Sequence, residues 1–203
     1  MTVTGVVNGG RDMFAVFGMP KNIIPKDTPY TLAVTFDDAK GHAIQGGPCA
    51  ENGTGIVGSG PNSPAIAMLT INGKSFEFGH RPDARSRAWR SIPSSCSDSE
   101  LGISVQEGRE PLMTGVNIKI TANRGKALTG NRDWKSDLSV TDFDAKNGDN
   151  AFFIRHPGNY GAETMSYLSV STVTVAKGKT DGAAKTESAK PALKYRPGFV
   201  IPR

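Results

Sequence analysis

Cysteine, histidine and long apolar runs are all scarce in this chain of 203 residues. No stretch approaches 18 consecutive apolar residues, which argues against a membrane-spanning helix, so no membrane partner is expected. The two cysteines, Cys49 and Cys96, allow either one disulfide in an oxidising compartment or two free thiols in a reducing one. Residues 1–10 lack the basic and apolar regions of a signal peptide, which favours assembly in a host cytoplasm. The alternative is an extracellular or cell-surface protein whose signal has been removed.

Spacings typical of metal and catalytic sites are also missing. The three histidines lie far apart and lack metal-ligand spacing: His42, His80 and His156. Residues 141–150 carry several acidic residues in the manner of a calcium loop, but Lys146 occupies a ligand position, which favours a solvated turn. We therefore expect no metal and no other cofactor, and a protein that is not an enzyme.

One glycine-rich segment matches a nucleotide-binding motif in sequence. Residues 53–58 match the letters of the dinucleotide fingerprint. That motif works only when a helix follows it, because the helix N-terminus binds the pyrophosphate. Pro61 and Pro64 exclude such a helix, so we interpret residues 53–58 as a glycine-rich loop.

The net charge of +5 is confined to the C-terminal end of the chain. Residues 177–203 contain seven basic and two acidic residues, and the whole chain has 24 and 19, which leaves 17 of each in residues 1–176. This division predicts a β-sandwich or barrel body over residues 1–176, followed by a basic linker and docking arm over 177–203. Nucleic acid is not expected to bind the neutral body, and only the basic tail carries charge suited to it. The apolar residues expected to dock on a partner are Leu193, Tyr195, Phe199, Val200 and Ile201.

Alternation of apolar and polar residues with a period of two dominates the body and predicts β-strands. The alternating runs are residues 30–36, 65–71, 101–105, 116–120, 138–140, 152–154 and 164–175. In the last run the apolar residues change phase near Ser171 and Thr172, which predicts a β-bulge. Roughly eight or nine short strands without a helical period predict an all-β fold. We expect an antiparallel β-sandwich or β-barrel with an extended C-terminal arm.

One turn motif predicts a β-hairpin. Asn72-Gly73 lies between two strand-like runs, and both turn residues favour the positive φ angles that a two-residue hairpin turn requires. The hairpin should pair residues 65–71 with 74–79. Phe76 and Phe78 should then share one face of the sheet.

A cluster of cations and one aromatic ring provides the candidate binding site. Four arginines and a tryptophan fall within residues 80–90: Arg81, Arg85, Arg87, Trp89 and Arg90. Guanidinium groups bind phosphate, sulfate or carboxylate, and an indole offers a stacking surface, so the cluster predicts an anion or partner contact. Pro82 argues against a regular helix, and an exposed loop is expected. The alternative is a solvated loop whose arginines pair with Asp83 and other carboxylates of the body.

These patterns favour a non-enzymatic structural subunit of a multi-chain assembly, such as a phage capsid, decoration or tail protein in a virion. Its C-terminal arm would dock on a neighbour, so the expected partners are copies of itself or other structural subunits. The alternative hypothesis is a secreted or surface adhesin or pilus-like β-sandwich that binds a glycan or a host protein. The strand after Gly161 resembles the end strands of pilins, which supports that alternative.

Overall fold

The computed structural model describes residues 1–45, 53–92, 99–109, 113–122, 128, 133–141, 143, 150–155 and 163–176. Several predictions from the sequence lie outside these residues. They concern the two cysteines, the third histidine, most of the acidic turn and the whole docking arm: Cys49, Cys96, His156, 144–149 and 177–203.

Within the described residues, twelve strands form one antiparallel sheet. They are β1 (Thr2–Asp12), β2 (Ile23–Phe36), β3 (His42–Gln45), β4 (Gly53–Ser59), β5 (Ala65–Ile71), β6 (Lys74–Phe78), β7 (Arg85–Ser91), β8 (Glu100–Glu107), β9 (Thr114–Thr121), β10 (Leu138–Val140), β11 (Ala151–Arg155) and β12 (Glu163–Val175). Their order is β3-β4-β7-β8-β9-β11-β12-β1-β2-β5-β6, and β10 pairs with the end of β12. The sheet curls into a half-barrel, which confirms the all-β prediction.

The long strands β12, β1 and β2 lie side by side in the middle of the sheet. The predicted bulge in β12 is confirmed. Thr172 pairs with Thr4 and Val170 pairs with Gly5, so Ser171 is the extra residue. This bulge lets Leu168 and Val173 both point into the core although they are an odd number of positions apart.

Strand β2 starts earlier than the sequence indicated. The alternation suggested a strand beginning after Pro29, but the strand begins at Ile23 and includes that proline. The register between β1 and β2 is also irregular. It shifts between Val6 and Asn8 of β1, and in the facing part of β2 Asp27 adopts a φ of 65°. Bulges tolerate proline because some backbone groups there are already unpaired, which explains why the strand continues through Pro29.

The β5–β6 hairpin forms as the sequence predicts. Asn72 and Gly73 have φ angles of 52° and 70°, as a two-residue turn of this handedness requires. The rings of Phe76 and Phe78 pack edge to face with their centroids 4.9 Å apart. The predicted pairing is confirmed over residues 67–71 and 74–78, and so is the shared face of the two rings.

The core lies inside the curl, where the two halves of the sheet face each other. Strands β5 and β6 contact β7, β8 and β9 across this space. The Ser86 hydroxyl contacts the Ser63 hydroxyl at 3.0 Å and accepts a hydrogen bond from the Ala65 backbone N–H at 3.0 Å. Fully burying one large apolar side chain contributes about 1.5–3 kcal/mol, so this interior provides most of the driving force for folding. Its largest fully buried apolar side chains include Phe17, Phe78, Phe152, Ile24, Leu32 and Leu69.

Two segments that the sequence suggested were loops are strands. Residues 53–58 belong to β4, and the arginine cluster contributes β7. In β4 the glycines permit close packing, because a Cβ atom at Gly55 would collide with the Ala88 carbonyl of β7. The loop interpretation failed in both places because glycines and polar residues replace the apolar residues that normally mark a strand.

Candidate functional site

Alternation along β7 divides the arginine cluster between the two faces of the sheet. Arg85 and Arg87 are exposed on the outer face, and Trp89 is half-buried beside them. Ser86, Ala88 and Arg90 point inward and are buried. The strand therefore brings together only three of the five residues that the sequence grouped.

The outer face carries an open cavity of about 530 Å³. Its walls come from β3, β4, β7, β8 and β9 and include His42, Ser59, Arg85, Arg87, Trp89, Ser104, Gln106 and Asn117. Among the described residues, the lining contains two arginines and no carboxylate. The cavity is therefore a cationic depression on the outer face of a charge-balanced body.

The indole of Trp89 lies across the neighbouring strand β8. It sits directly over Gly102, because a Cβ atom at that glycine would collide with three atoms of the indole. Gly55 pairs with Trp89 from the other side, on β4. Two glycines flanking one tryptophan allow the ring to lie low against the sheet instead of standing away from it.

Arg87 is positioned by this ring. Its guanidinium carbon lies 5.0 Å from the centroid of Trp89, within the range of a cation–π contact. Such a contact contributes about 0.5–1 kcal/mol at an exposed site. The guanidinium is thereby restrained while its N–H groups remain accessible to a ligand.

Arg85 is held by neutral partners. Its Nε donates to Gln106 Oε1 at 3.2 Å, and its Nη2 contacts Met113 Sδ at 2.9 Å. Among the described residues, neither Arg85 nor Arg87 forms an ion pair. The alternative in which these two arginines are neutralised by carboxylates of the body therefore finds no support in the described part of the chain.

No family model, curated protein or solved structure matches this chain. In the parts of the chain with a described structure, no helix has the length and apolar character needed to cross a membrane. Within the same residues, no group of three or more His, Cys, Asp and Glu side chains is arranged to hold a metal. The geometry of the outer face is therefore the basis for assigning a function.

The other two arginines of the cluster lie apart from the cavity. Arg81 pairs with Asp83 at 3.4 Å on an exposed turn. Arg90 is 0% exposed and donates to the backbone carbonyls of Asp133 at 2.9 Å and Ser136 at 3.1 Å. Burial lowers the pKa of Arg90, and the charge of Asp133 partly opposes this shift. The expectation that Arg90 lies on an exposed loop is wrong, and its role is to fasten the turn at residues 133–136.

Three polar lining residues from β8 and β9 were not identified as site residues from the sequence. Ser104 pairs with Arg87 and with Asn117, and Gln106 pairs with Arg85, so all three follow from the register of β7, β8 and β9. The alternation in residues 101–105 predicts that Ser104 faces away from the core. The sequence does not indicate which strand lies beside it, so the cavity itself could not be predicted.

The buried carboxylates outside the cavity hold backbone in place. The Asp12 carboxylate accepts hydrogen bonds from the backbone N–H groups of Phe17 at 3.1 Å and Met19 at 3.0 Å. Glu107 Oε2 accepts from the backbone N–H groups of Gly79 at 2.9 Å and Arg81 at 3.2 Å. Both carboxylates thus fix turns of the half-barrel.

Proposed function

We propose that this protein is a non-enzymatic binding subunit that docks onto an anionic partner through its outer sheet face. The face comprises the outward residues of β4, β7, β8 and β9 around the 530 Å³ cavity. The observation that carries the proposal is the pair Arg85 and Arg87, which lie in one cavity without an ion pair among the described residues. An anionic group would bring the opposite charge that no described residue places beside these two side chains.

Preorganisation of the two arginines strengthens the proposal. Arg87 is stacked on Trp89, and Arg85 is bonded to Gln106 on the adjacent strand. Ordering a long, free side chain on binding costs about 0.5–1.5 kcal/mol of conformational entropy. Because Arg85 and Arg87 are already restrained, their binding to an anion incurs less of this cost. A charge-assisted hydrogen bond contributes about 1.5–3 kcal/mol. Two restrained guanidinium groups therefore favour a salt-dependent contact with an anion.

A second candidate function is the structural subunit of a multi-chain assembly, such as a virion. It is favoured by a groove of about 440 Å³ at one end of the half-barrel. The apolar part of the groove includes Val34, Phe36 and Trp134, and the last described residues, Val175 and Ala176, also line it. The predicted docking arm thus begins beside an apolar groove that a neighbouring copy would also carry. In this proposal the apolar end of the arm fills the groove of a second copy.

The anion-docking proposal is tested with two double variants of equal net charge. Arg85→Gln with Arg87→Gln removes both cations of the cavity. Lys40→Gln with Arg81→Gln removes two exposed cations that lie outside the cavity, each from an ion pair. Both variants of the full chain are compared on a sulfonate cation-exchange resin.

The cavity variant should elute at a clearly lower salt concentration than the control variant, although their net charges are the same. The difference measures local binding, since the basic tail contributes equally to both. Elution of the two variants at the same salt concentration would mean that Arg85 and Arg87 are merely solvated, and the proposal would be wrong.

A further inference from the structure

The neutral residues of the cavity point to a more specific ligand. Ser104 and Asn117 continue the cross-strand row that contains Arg87, and Gln106 lies opposite Arg85. Hydroxyl and amide groups both donate and accept hydrogen bonds, whereas phosphate, sulfate and carboxylate oxygens mainly accept them. A ligand that carries hydroxyl groups as well as a negative charge would use both the donors and the acceptors of this row.

The indole adds an apolar requirement. Trp89 lies low over Gly102 and forms part of the cavity wall. A flat aromatic wall suits a ligand with an apolar C–H face, as a pyranose ring has, and gives little advantage to a small inorganic anion. The volume of 530 Å³ is within the range of about 300–1,000 Å³ typical of small-molecule sites.

The charge distribution argues against a nucleic-acid backbone as the ligand. Affinity for such a backbone grows with the number of phosphates that are neutralised by Lys and Arg. Two other cations of the same sheet, Lys119 and Arg155, are already paired with Glu100 and Glu163, at 3.2 Å each. Within the described part of the chain, the cavity therefore offers a local pair of cations and not a long basic track.

We propose that this cavity binds an acidic sugar, such as a uronate unit of a polysaccharide. The carboxylate binds Arg85 and Arg87, the hydroxyls bind Ser104, Gln106 and Asn117, and one ring face lies against Trp89. This inference rests on the proposed anion-docking face and specifies the chemistry of its ligand. It involves binding only, with no covalent step.

The test uses tryptophan fluorescence of the full-length chain. The chain has two tryptophans, and Trp134 is buried against Phe36 at the end of the half-barrel, with the ring centroids 4.9 Å apart. A Trp134→Phe background therefore leaves Trp89 as the only reporter. Oligogalacturonate, a neutral malto-oligosaccharide and sodium sulfate are titrated separately, and calorimetry on the unmodified chain repeats each titration.

Oligogalacturonate should give a saturable change that the neutral oligosaccharide does not give. Arg87→Ala should weaken its binding about tenfold or more, as expected for loss of one charge-assisted hydrogen bond. Ser104→Ala and Asn117→Ala should each weaken it several-fold, and Lys40→Ala should leave it unchanged. Circular dichroism melting of each variant separates a binding defect from misfolding.

Two results would overturn the inference in different ways. If sulfate binds as tightly as oligogalacturonate and Ser104→Ala has no effect, the cavity is a simple oxyanion site; the acidic-sugar inference is then wrong and the docking proposal stands. If neither anion binds and the equal-charge variants elute together from the sulfonate resin, both the inference and the docking proposal are wrong.

Discussion

Replacing Arg90 with methionine should destabilise the half-barrel by releasing the turn at residues 133–136. Arg90 is fully buried, and its two Nη groups donate to the carbonyls of Asp133 and Ser136. Its Nε has no hydrogen-bond partner within the described part of the chain. Methionine retains the apolar stem of the side chain and removes the charge and the donors, so the substitution isolates the polar contribution.

The expected loss follows from these contacts. Two hydrogen bonds from a charged donor contribute about 3–6 kcal/mol together. Keeping the guanidinium away from water offsets part of this gain, and the same desolvation lowers the pKa of Arg90. We expect a net loss of about 3 kcal/mol in the free energy of unfolding. For a chain of this length, that loss lowers Tm by roughly 6–12 °C.

Urea unfolding followed by circular dichroism measures the loss, and tryptophan emission reports on the turn. Trp134 lies in that turn, and its backbone N–H donates to Thr54 Oγ1 at 3.2 Å. Release of the turn should therefore shift the Trp134 emission to longer wavelength. Arg87→Met is the matched control, because Arg87 lies on the exposed face of the same strand, and it should cost no more than about 1 kcal/mol. If Arg90→Met costs no more than this control, the assignment of Arg90 as the fastening residue is wrong.

Three further substitutions test other parts of the structure. Tyr30→Phe should stabilise the protein by about 1 kcal/mol in urea unfolding, because among the described residues the buried Tyr30 hydroxyl has no hydrogen-bond partner. The stability difference between Tyr30→Phe and the unmodified chain should grow above pH 10. Burial raises the pKa of Tyr30, so above pH 10 the unfolded chain loses a proton that the folded chain keeps. A Tyr30→Phe variant less stable than the unmodified chain would contradict the absence of a hydrogen bond to this hydroxyl among the described residues. Gly102→Ala should cost about 1–3 kcal/mol in thermal melts and displace the Trp89 indole, and an unchanged Trp89 emission would show that the ring does not lie on this glycine. Asp12→Ala should cost about 3 kcal/mol in urea unfolding because it leaves two backbone N–H groups without their acceptor, and a loss below 1 kcal/mol would refute that role.

The strands predictable from the sequence are those whose inward residues are apolar. The hairpin at Asn72-Gly73 and the bulge at Ser171 both follow from local rules, since turn chemistry and a change in alternation phase are visible in a single segment. Leu168 and Val173 mark that change of phase directly. Such features need no knowledge of the neighbouring strand.

Strand β7 was not predictable because its inward residues are polar or small. Ser86 forms hydrogen bonds with Ser63 and with the backbone N–H of Ala65, and the two Nη groups of Arg90 donate to carbonyls more than forty positions away. The partners that do exist come from distant parts of the chain, so the segment resembles an exposed loop when it is considered alone. Strand β4 was not predicted for a different reason. Close packing against β7 requires a glycine at position 55, where an apolar residue would otherwise indicate a strand.

The candidate site was predictable as a set of residue types but not as a surface. The spacing of Arg85, Arg87 and Trp89 places them on one face as soon as the segment is known to be a strand. Their neighbours Ser104 and Asn117 depend on the register between β7, β8 and β9, which only the folded sheet defines.

Nuclear magnetic resonance during a sulfate titration tests the central claim most directly. The claim is that the outer face around Arg85 and Arg87 accepts an anion. Saturable shifts should appear in the Arg85 and Arg87 Nε–H signals, the Trp89 indole N–H and the backbone amide of Ser104, and the Arg85→Gln with Arg87→Gln variant should abolish the shifts of Trp89 and Ser104. Shifts that never saturate, or that occur only in residues 177–203, would contradict the claim.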